Sequence, residues 1–157
     1  MTILGIDPGE RRIGIAISDP LGVAARPLVT IEHMSLAEDV TRVVEMASTH
    51  KAERIVVGLP LNMDGSAGPA ARKAGRFANA IRRKSRLEVV LWDERLTTVE
   101  AEETLSNRRA GSKPAPEEGR RAGPRPAHVR DMIDRTAAAV MLQDYLNAQR
   151  IAGDPCA

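Results

Sequence analysis

A single cysteine, Cys156, stands one residue from the end of this 157-residue sequence. That excludes an intramolecular disulfide and any metal site built on several cysteines. Aromatic residues are nearly as scarce, with one each of Phe77, Trp92 and Tyr145. Modules that stack bases on several exposed rings are excluded by that count. No apolar run reaches the length of a membrane span. The first twenty residues carry Asp7, Glu10, Arg11, Arg12 and Asp19, where a signal peptide needs an apolar stretch. His33, His50 and His128 lack ligand spacing and read as surface positions. Neither GxxxxGK[ST] nor GxGxxG occurs, and a Ser-His-Asp arrangement has no support. What remains is a cytoplasmic chain of ordinary single-domain length, with no membrane partner. Its hydrophobic fraction of 43% supplies a core of Ile, Leu, Val and Ala.

The formal charge of +2 conceals a strong segregation. Residues 72–86 hold Arg72, Lys73, Arg76, Arg82, Arg83, Lys84 and Arg86 without one acid. A second basic stretch, 108–130, carries Arg108, Arg109, Lys113, Arg120, Arg121, Arg125 and Arg130 against Glu117 and Glu118. Arginine's planar fork suits phosphate. A charge run by itself is more often a solvated face than a polyanion surface, so this feature needs a partner elsewhere in the chain.

Residues 2–7 and 13–18 read as strands joined by the Pro8-Gly9 turn, which makes a hairpin. A third strand falls near 25–31, with Pro27 marking an edge or a strand start. Ser35 and Glu38 form a capping-box pattern for a helix carrying Leu36, Val40, Val43, Val44 and Ala47 at helical spacing. A buried strand at 54–59, a polar loop at 60–69, a basic helix near 70–85 and a strand at 88–92 follow. A further helix begins near Val99. Residues 110–127 contain four prolines and three glycines, which forbid a regular element and predict a mobile loop. The last helix is expected from about 129 to 149, with a flexible tail at 151–157. The chain thus predicts one α/β domain over 1–150: a five-stranded mixed sheet flanked by helices, antiparallel in its first three strands and parallel in its βαβ units.

The carboxylates are the candidate chemistry. Asp7 closes the first strand, and Asp93 and Glu94 end the fifth, where ligands of α/β sheets bind. Asp131 and Asp134 lie three apart on the last helix. Together such acids would form a hard-oxygen cage for Mg²⁺ or Mn²⁺. Two ions about 3.5–4 Å apart would serve in-line phosphodiester hydrolysis. Each acid has a structural alternative of equal weight: Asp7 as a turn residue, Asp93 or Glu94 as helix N-terminal charges, Asp131 paired with Arg135. Asp19 reads as part of the turn SDPLG. Asn62, Asp64 and Ser66 either receive a phosphate at the opening of the basic helix or merely shape its loop.

Four blocks in order, GIDPGERRIGIAISD at 5–19, VVGLPLNMDGSAGP at 56–69, DERLTT at 93–98 and DRTAAAVMLQDYL at 134–146, resemble the YqgF/RuvX family. The resemblance spans about 2 to 147. It implies an RNase H-like fold related to RuvC resolvases and the activity of a pre-16S rRNA nuclease or a Holliday-junction resolvase. Position by position it implies Asp7, Glu94 and Asp134 as catalytic metal ligands for Mg²⁺ or Mn²⁺. Asp93 and Asp131 are auxiliary acids; Asp131 stands outside the family block. Arg12, Asn62, Gly65 and Ser66 match motif positions expected near substrate. With an acidic site implied, Arg72, Arg76, Arg95, Arg120, Arg121 and Arg125 become candidates for holding a polyanion. The 110–127 loop is longer than the family pattern, so its role does not carry over. The leading expectation is a hydrolase, a metal-dependent nuclease that processes the 5′ end of pre-16S rRNA in ribosome biogenesis, acting as a monomer or homodimer on structured or single-stranded RNA. Two rivals stand beside it. One is a junction resolvase, which needs two sites and hence a two-fold dimer. The other is an RNA-binding maturation factor that does not cut. An actin-like or sugar-kinase ATPase needs two such domains, and the chain is too short for them.

Overall fold

Alternating apolar residues build the first hairpin. β1 (Ile3–Pro8) and β2 (Arg12–Ser18) pair antiparallel, with Leu4 opposite Ile17 and Asp7 opposite Gly14. The computed structural model describes residues 1–93 and 127–153, with side chains in the second stretch from Ala137 to Ala152. The helix expected from Val99 lies outside these residues. So does the Pro/Arg-rich loop, apart from Ala127. β3 (Ala25–Glu32) adds antiparallel to β2, with a register shift where Ile15 faces Val29 but Ala16 faces Pro27. A proline and a bulge on this edge strand interrupt the hydrogen-bonding edge.

Two crossovers complete the sheet. α1 (Leu36–Thr49) leads to β4 (Arg54–Leu59), parallel to β1, and α2 (Pro69–Ser85) leads to β5 (Glu88–Asp93), parallel to β4. The order is β3-β2-β1-β4-β5, the mixed sheet that the strand pattern predicts. α3 (Ala127–Gly153) is longer than the expected 129–149, because its last turns continue past the buried face with Ile151 and Ala152 exposed. Residues 154–157 lie outside the described part.

Strand alternation divides the core in two. Leu4, Ile6, Ile13, Ile15, Ile17, Ile55, Val57 and Val89 pack against Val40, Val43 and Ala47 of α1 and Phe77, Ala78 and Ile81 of α2. On the other face Ile3, Ala16 and Val56 meet Ala138, Met141, Leu142, Tyr145 and Leu146 of α3. Leu36, placed on the apolar stripe by spacing alone, is 48% exposed.

α3 approaches β1 closely. A β-carbon on Gly5 would stand 2.9 Å from Leu142 Cβ, so the absence of a side chain there lets the helix seat. The direction of α3 follows from two further contacts. Gln143 Oε1 accepts from the Ala25 amide at 2.9 Å, and Arg54 Nη1 donates to the Tyr145 hydroxyl at 2.9 Å. Ala25 pairs with Ser18 at the level where β1 begins, and Arg54 is the first residue of β4. The later turns of α3 therefore lie over the amino ends of β1 and β4, and its earlier turns run toward their carboxyl ends.

Asp39 at the start of α1 is 1% exposed. Burial alone would raise its carboxyl pKa. The Met34 amide, the His33 ring and the Arg42 guanidinium outweigh that and hold it below its ordinary value of 3.8. His33 is thus not a free surface histidine. It locks the β3–α1 connection to the first turn of α1, beside the Ser35 cap that accepts from the Glu38 amide.

Two outcomes are expected. Gly5→Ala overpacks the α3 contact and destabilises by about 1–3 kcal/mol in urea unfolding; Leu142→Ala in the same chain does not recover that loss, because alanine keeps the Cβ that the new methyl meets. A depressed carboxyl pKa contributes stability above the unfolded value, and that contribution disappears as pH falls through the folded one. Asp39→Asn is therefore expected to lose about 1–3 kcal/mol at neutral pH. It should also lack the part of the acid decline that the wild type shows below about pH 4.

Candidate nuclease site at the carboxyl edge of the sheet

The parallel strands β1, β4 and β5 end together. Ile6 pairs with Val57 and Val57 with Leu91, so Asp7, Gly58 and Trp92 stand one position further at one level. Asp7 is half-buried, and its parity with Ile3 and Gly5 puts it on the α3 face. The residue opposite it on β2 is Gly14, and at its level on β4 is Gly58. Both share the parity of residues that face α3, namely Ala16 and Val56. The carboxylate is thus flanked on both neighbouring strands by positions without side chains. Spacing analysis missed this floor. Its signal is two glycines, each in an apolar strand, IGIAIS and RIVVGL.

α3 brings its early turns to the same edge and face. Asp134 is one helical turn before Ala138, which is fully buried against the sheet, and Asp131 is nearly another turn ahead. Asp93 behaves differently. It alternates with Val89, which packs toward α1 and α2, whereas Val90 and Trp92 pack toward α3. The sheet therefore separates Asp93 from Asp7. Trp92 rests edge-on against Tyr145, with ring centroids 5.5 Å apart, and its buried Nε1 finds no partner among the described residues. Glu94 and Arg95 lie outside the described residues, as do Arg120, Arg121 and Arg125.

Three basic or polar segments border this edge. Arg12 opens β2 opposite Glu32, next to the turn after Asp7. The Gly9 amide donates to the Arg12 carbonyl at 2.9 Å, and a β-carbon on Gly9 would meet that oxygen at 2.4 Å. Only glycine closes this turn. The loop from β4 to α2 is held by its own side chains. Asn62 Nδ2 donates to Ser66 Oγ at 3.0 Å, Ser66 Oγ donates to Asp64 Oδ1 at 2.6 Å, and Gly65 takes a φ of +86°. Asn62 and Ser66 thus shape the loop, and Asp19 likewise closes its own turn by accepting from the Val23 amide at 2.7 Å. Arg72 and Arg76 then project from the first turns of α2 and are exposed. Among the described residues no three of His, Cys, Asp and Glu gather closely enough to hold a metal.

A β3-β2-β1-β4-β5 sheet with a half-buried acid near the end of its first strand and a C-terminal helix across one face is an RNase H-like fold. Thermus thermophilus RuvC in complex with a Holliday junction substrate has this fold at a TM-score of 0.56 and 21% identity, covering 96% of each chain. The fowlpox virus Holliday junction resolvase shares it at a TM-score of 0.52 and 11% identity, over 94% of this chain and 99% of the viral one. Sequence is more specific than fold here. The family model described as "RuvX: Holliday junction resolvase" matches residues 1–148, and the chain belongs to the RuvX family. A relative from Syntrophus aciditrophicus is 40% identical over 99% of this chain and 97% of its own length. One from Caldanaerobacter subterraneus subsp. tengcongensis is 39% identical over 96% and 99%. Both carry the provisional name of pre-16S rRNA nuclease.

The two close-packed glycines of this edge predict opposite tolerances. Gly9→Ala must displace the Arg12 carbonyl, and the Gly9 and His33 amides should lose protection in hydrogen exchange. Gly68→Ala, whose β-carbon would stand 3.4 Å from the Asn62 side chain, should leave the turn intact and cost about 1 kcal/mol or less, through the poorer N-cap that alanine makes for α2.

Proposed function

We propose that this chain is a divalent-metal-dependent nuclease that hydrolyses phosphodiester bonds in RNA and trims the 5′ end of pre-16S rRNA during ribosome biogenesis. The observation that carries the reading is Asp7: a half-buried carboxylate at the carboxyl edge, flanked by Gly14 and Gly58, on the face across which α3 runs. The names of the two full-length relatives support RNA as the substrate.

Asp7, Glu94 and Asp134 are the proposed metal ligands. Their donors are hard oxygens with no histidine or cysteine among them, which fits Mg²⁺ or Mn²⁺. Such an ion, when bound, supplies Lewis-acid stabilisation to the phosphoryl group. The carboxylates hold and orient rather than attack phosphorus; water is the nucleophile. Asp93, the last residue of β5, shares the parity of Val89 on the α1/α2 face, so the next residue in sequence, Glu94, is the proposed ligand. Asp131 is auxiliary. Arg12, Arg72 and Arg76 neutralise backbone phosphates at this edge, and Arg95, Arg120, Arg121 and Arg125 extend that role. Asn62, Gly65 and Ser66 act by holding the loop that aims α2. Phosphate contacts position without reading sequence, so selectivity comes from the shape or single-strandedness of the RNA.

The test is cleavage of a pre-16S 5′ leader fragment with Mn²⁺. Partners one shell removed from a metal are worth about 10–100-fold, so loss of a ligand should exceed that. Asp7→Asn is expected to fold, bind the RNA and cut at least about 100-fold more slowly. Cutting at the wild-type rate by this variant would overturn the mechanism. A branched-DNA substrate is the second reading, favoured by the description of the family model. Paired symmetric nicks in a four-way junction by a two-fold dimer, with the RNA left intact, would establish it instead.

A further inference from the structure

Helix α2 carries more positive charge than its edge of the site uses. From Gly65 to Leu87 the chain has no acid, while α2 and its C-cap present Arg72, Arg76, Arg83 and Arg86 to solvent. At 100° per residue Arg72, Arg76 and Arg83 fall within an arc of about 40°, opposite the buried face of Ala71, Ala74, Phe77, Ala78 and Ile81, and Arg86 follows at the left-handed C-cap. Their span is about 21 Å at 1.5 Å per residue. Two other bases of the segment are occupied: Arg82 donates to Asn79 Oδ1 and the Val89 carbonyl, and Lys84 to Thr41 Oγ1. The four of the stripe make no side-chain hydrogen bond or ion pair among the described residues.

This arrangement works against the helix that carries it. Arg72 and Arg76 are like charges at i, i+4, which destabilises an isolated helix, whereas Arg83 in the last turn suits the dipole. Arg72 also stands in a first turn without an acid, against the preference of the helix dipole. A solvated face would mix signs. A row of exposed guanidinium groups without side-chain partners among the described residues is complementary to a row of phosphates.

We infer that the α2 stripe is a track for the RNA strand as it leaves the cleavage site, with Arg83 and Arg86 as its far end. The inference rests on the RNA reading above and extends it across the domain. α2 starts at the carboxyl edge beside the loop of Asn62, on the sheet face opposite Asp7, and ends where β5 begins, so a strand leaving Asp7 rounds the carboxyl edge and then runs along α2 toward the amino edge. With one phosphate per about 3.4 Å of axis along a strand, the track accommodates about six nucleotides.

The experiment is a salt titration of binding to a fluorescent pre-16S 5′ leader RNA by anisotropy, in the full chain carrying Asp7→Asn so that nothing is cut. Arg83→Gln/Arg86→Asn removes the far end; asparagine suits the left-handed backbone at 86, where φ is 59°. Arg26→Gln/Arg150→Gln removes the same charge from exposed positions off the track. The track variant should bind about tenfold more weakly near physiological salt. Its slope of log K against log salt should be shallower by about 1.4, or 0.7 per lost contact. The control pair should keep the parent slope. Shortening the RNA by about six nucleotides from one end should abolish the difference between parent and track variant. Equal behaviour of the track and control pairs overturns the inference, as does an effect confined to duplex DNA. The two proposals fail separately. Acid-dependent cutting with an unaltered slope removes the track alone, whereas a shallower slope in a chain whose wild type cuts nothing keeps the track and removes the nuclease.

Discussion

Leu142 of α3 lies on the bare backbone of Gly5, in a contact that any side chain at position 5 would close to 2.9 Å. Much of the geometry at the carboxyl edge depends on that approach. It seats α3 across β1, where Gln143 holds the start of β3 and Tyr145 takes a hydrogen bond from Arg54. Burial would lower the pKa of that guanidinium, but its bonds to Glu88 and Tyr145 raise it above the ordinary value. The helix is thus anchored at the amino ends of the strands. Its earlier turns run toward the carboxyl ends, the edge that carries Asp7.

Charge is organised around the same edge. β1 and β5 carry Asp7 and Asp93 at their ends, and the helix that follows β4 begins in bases, against its own dipole and its own like-charge neighbours. Stability would favour the reverse in both places. The apolar core on the α1/α2 face tolerates this, since Phe77, Ala78 and Ile81 hold α2 to the sheet irrespective of what its outer face carries. A polyanion laid on that outer face would relieve the repulsion that the protein alone leaves standing.

The elements were legible because their signals are local. The alternation of IGIAIS, the Pro8-Gly9 turn, the Ser35 cap and the apolar run RIVVGL each specify a short piece of backbone, and the mixed sheet follows from their order. Asp7 was legible as a strand-end acid followed by Pro-Gly. What escaped is tertiary. Asp39 looks like an ordinary first-turn acid, and only the fold brings His33 and Arg42 to it. Gly5, Gly14 and Gly58 lie far apart in sequence, and their common face becomes visible once the register of three strands is known. Asp93 and Glu94 are neighbours in sequence, so spacing could not tell them apart; strand parity assigns Asp93 to the α1/α2 face. The hydrogen bond from Asn62 to Ser66 is likewise a contact that spacing does not show.

The central claim is that topology joins an acid of β1 to an acid of α3 in one cation site. Mn²⁺ binding followed by electron paramagnetic resonance tests it directly, free of substrate and turnover. The wild type should bind Mn²⁺. Asp7→Asn and Asp134→Asn should each weaken that binding, and the double variant should do so by less than the sum of the two, as for residues that share one ion. Strictly additive effects, or binding indifferent to Asp7, would contradict the claim.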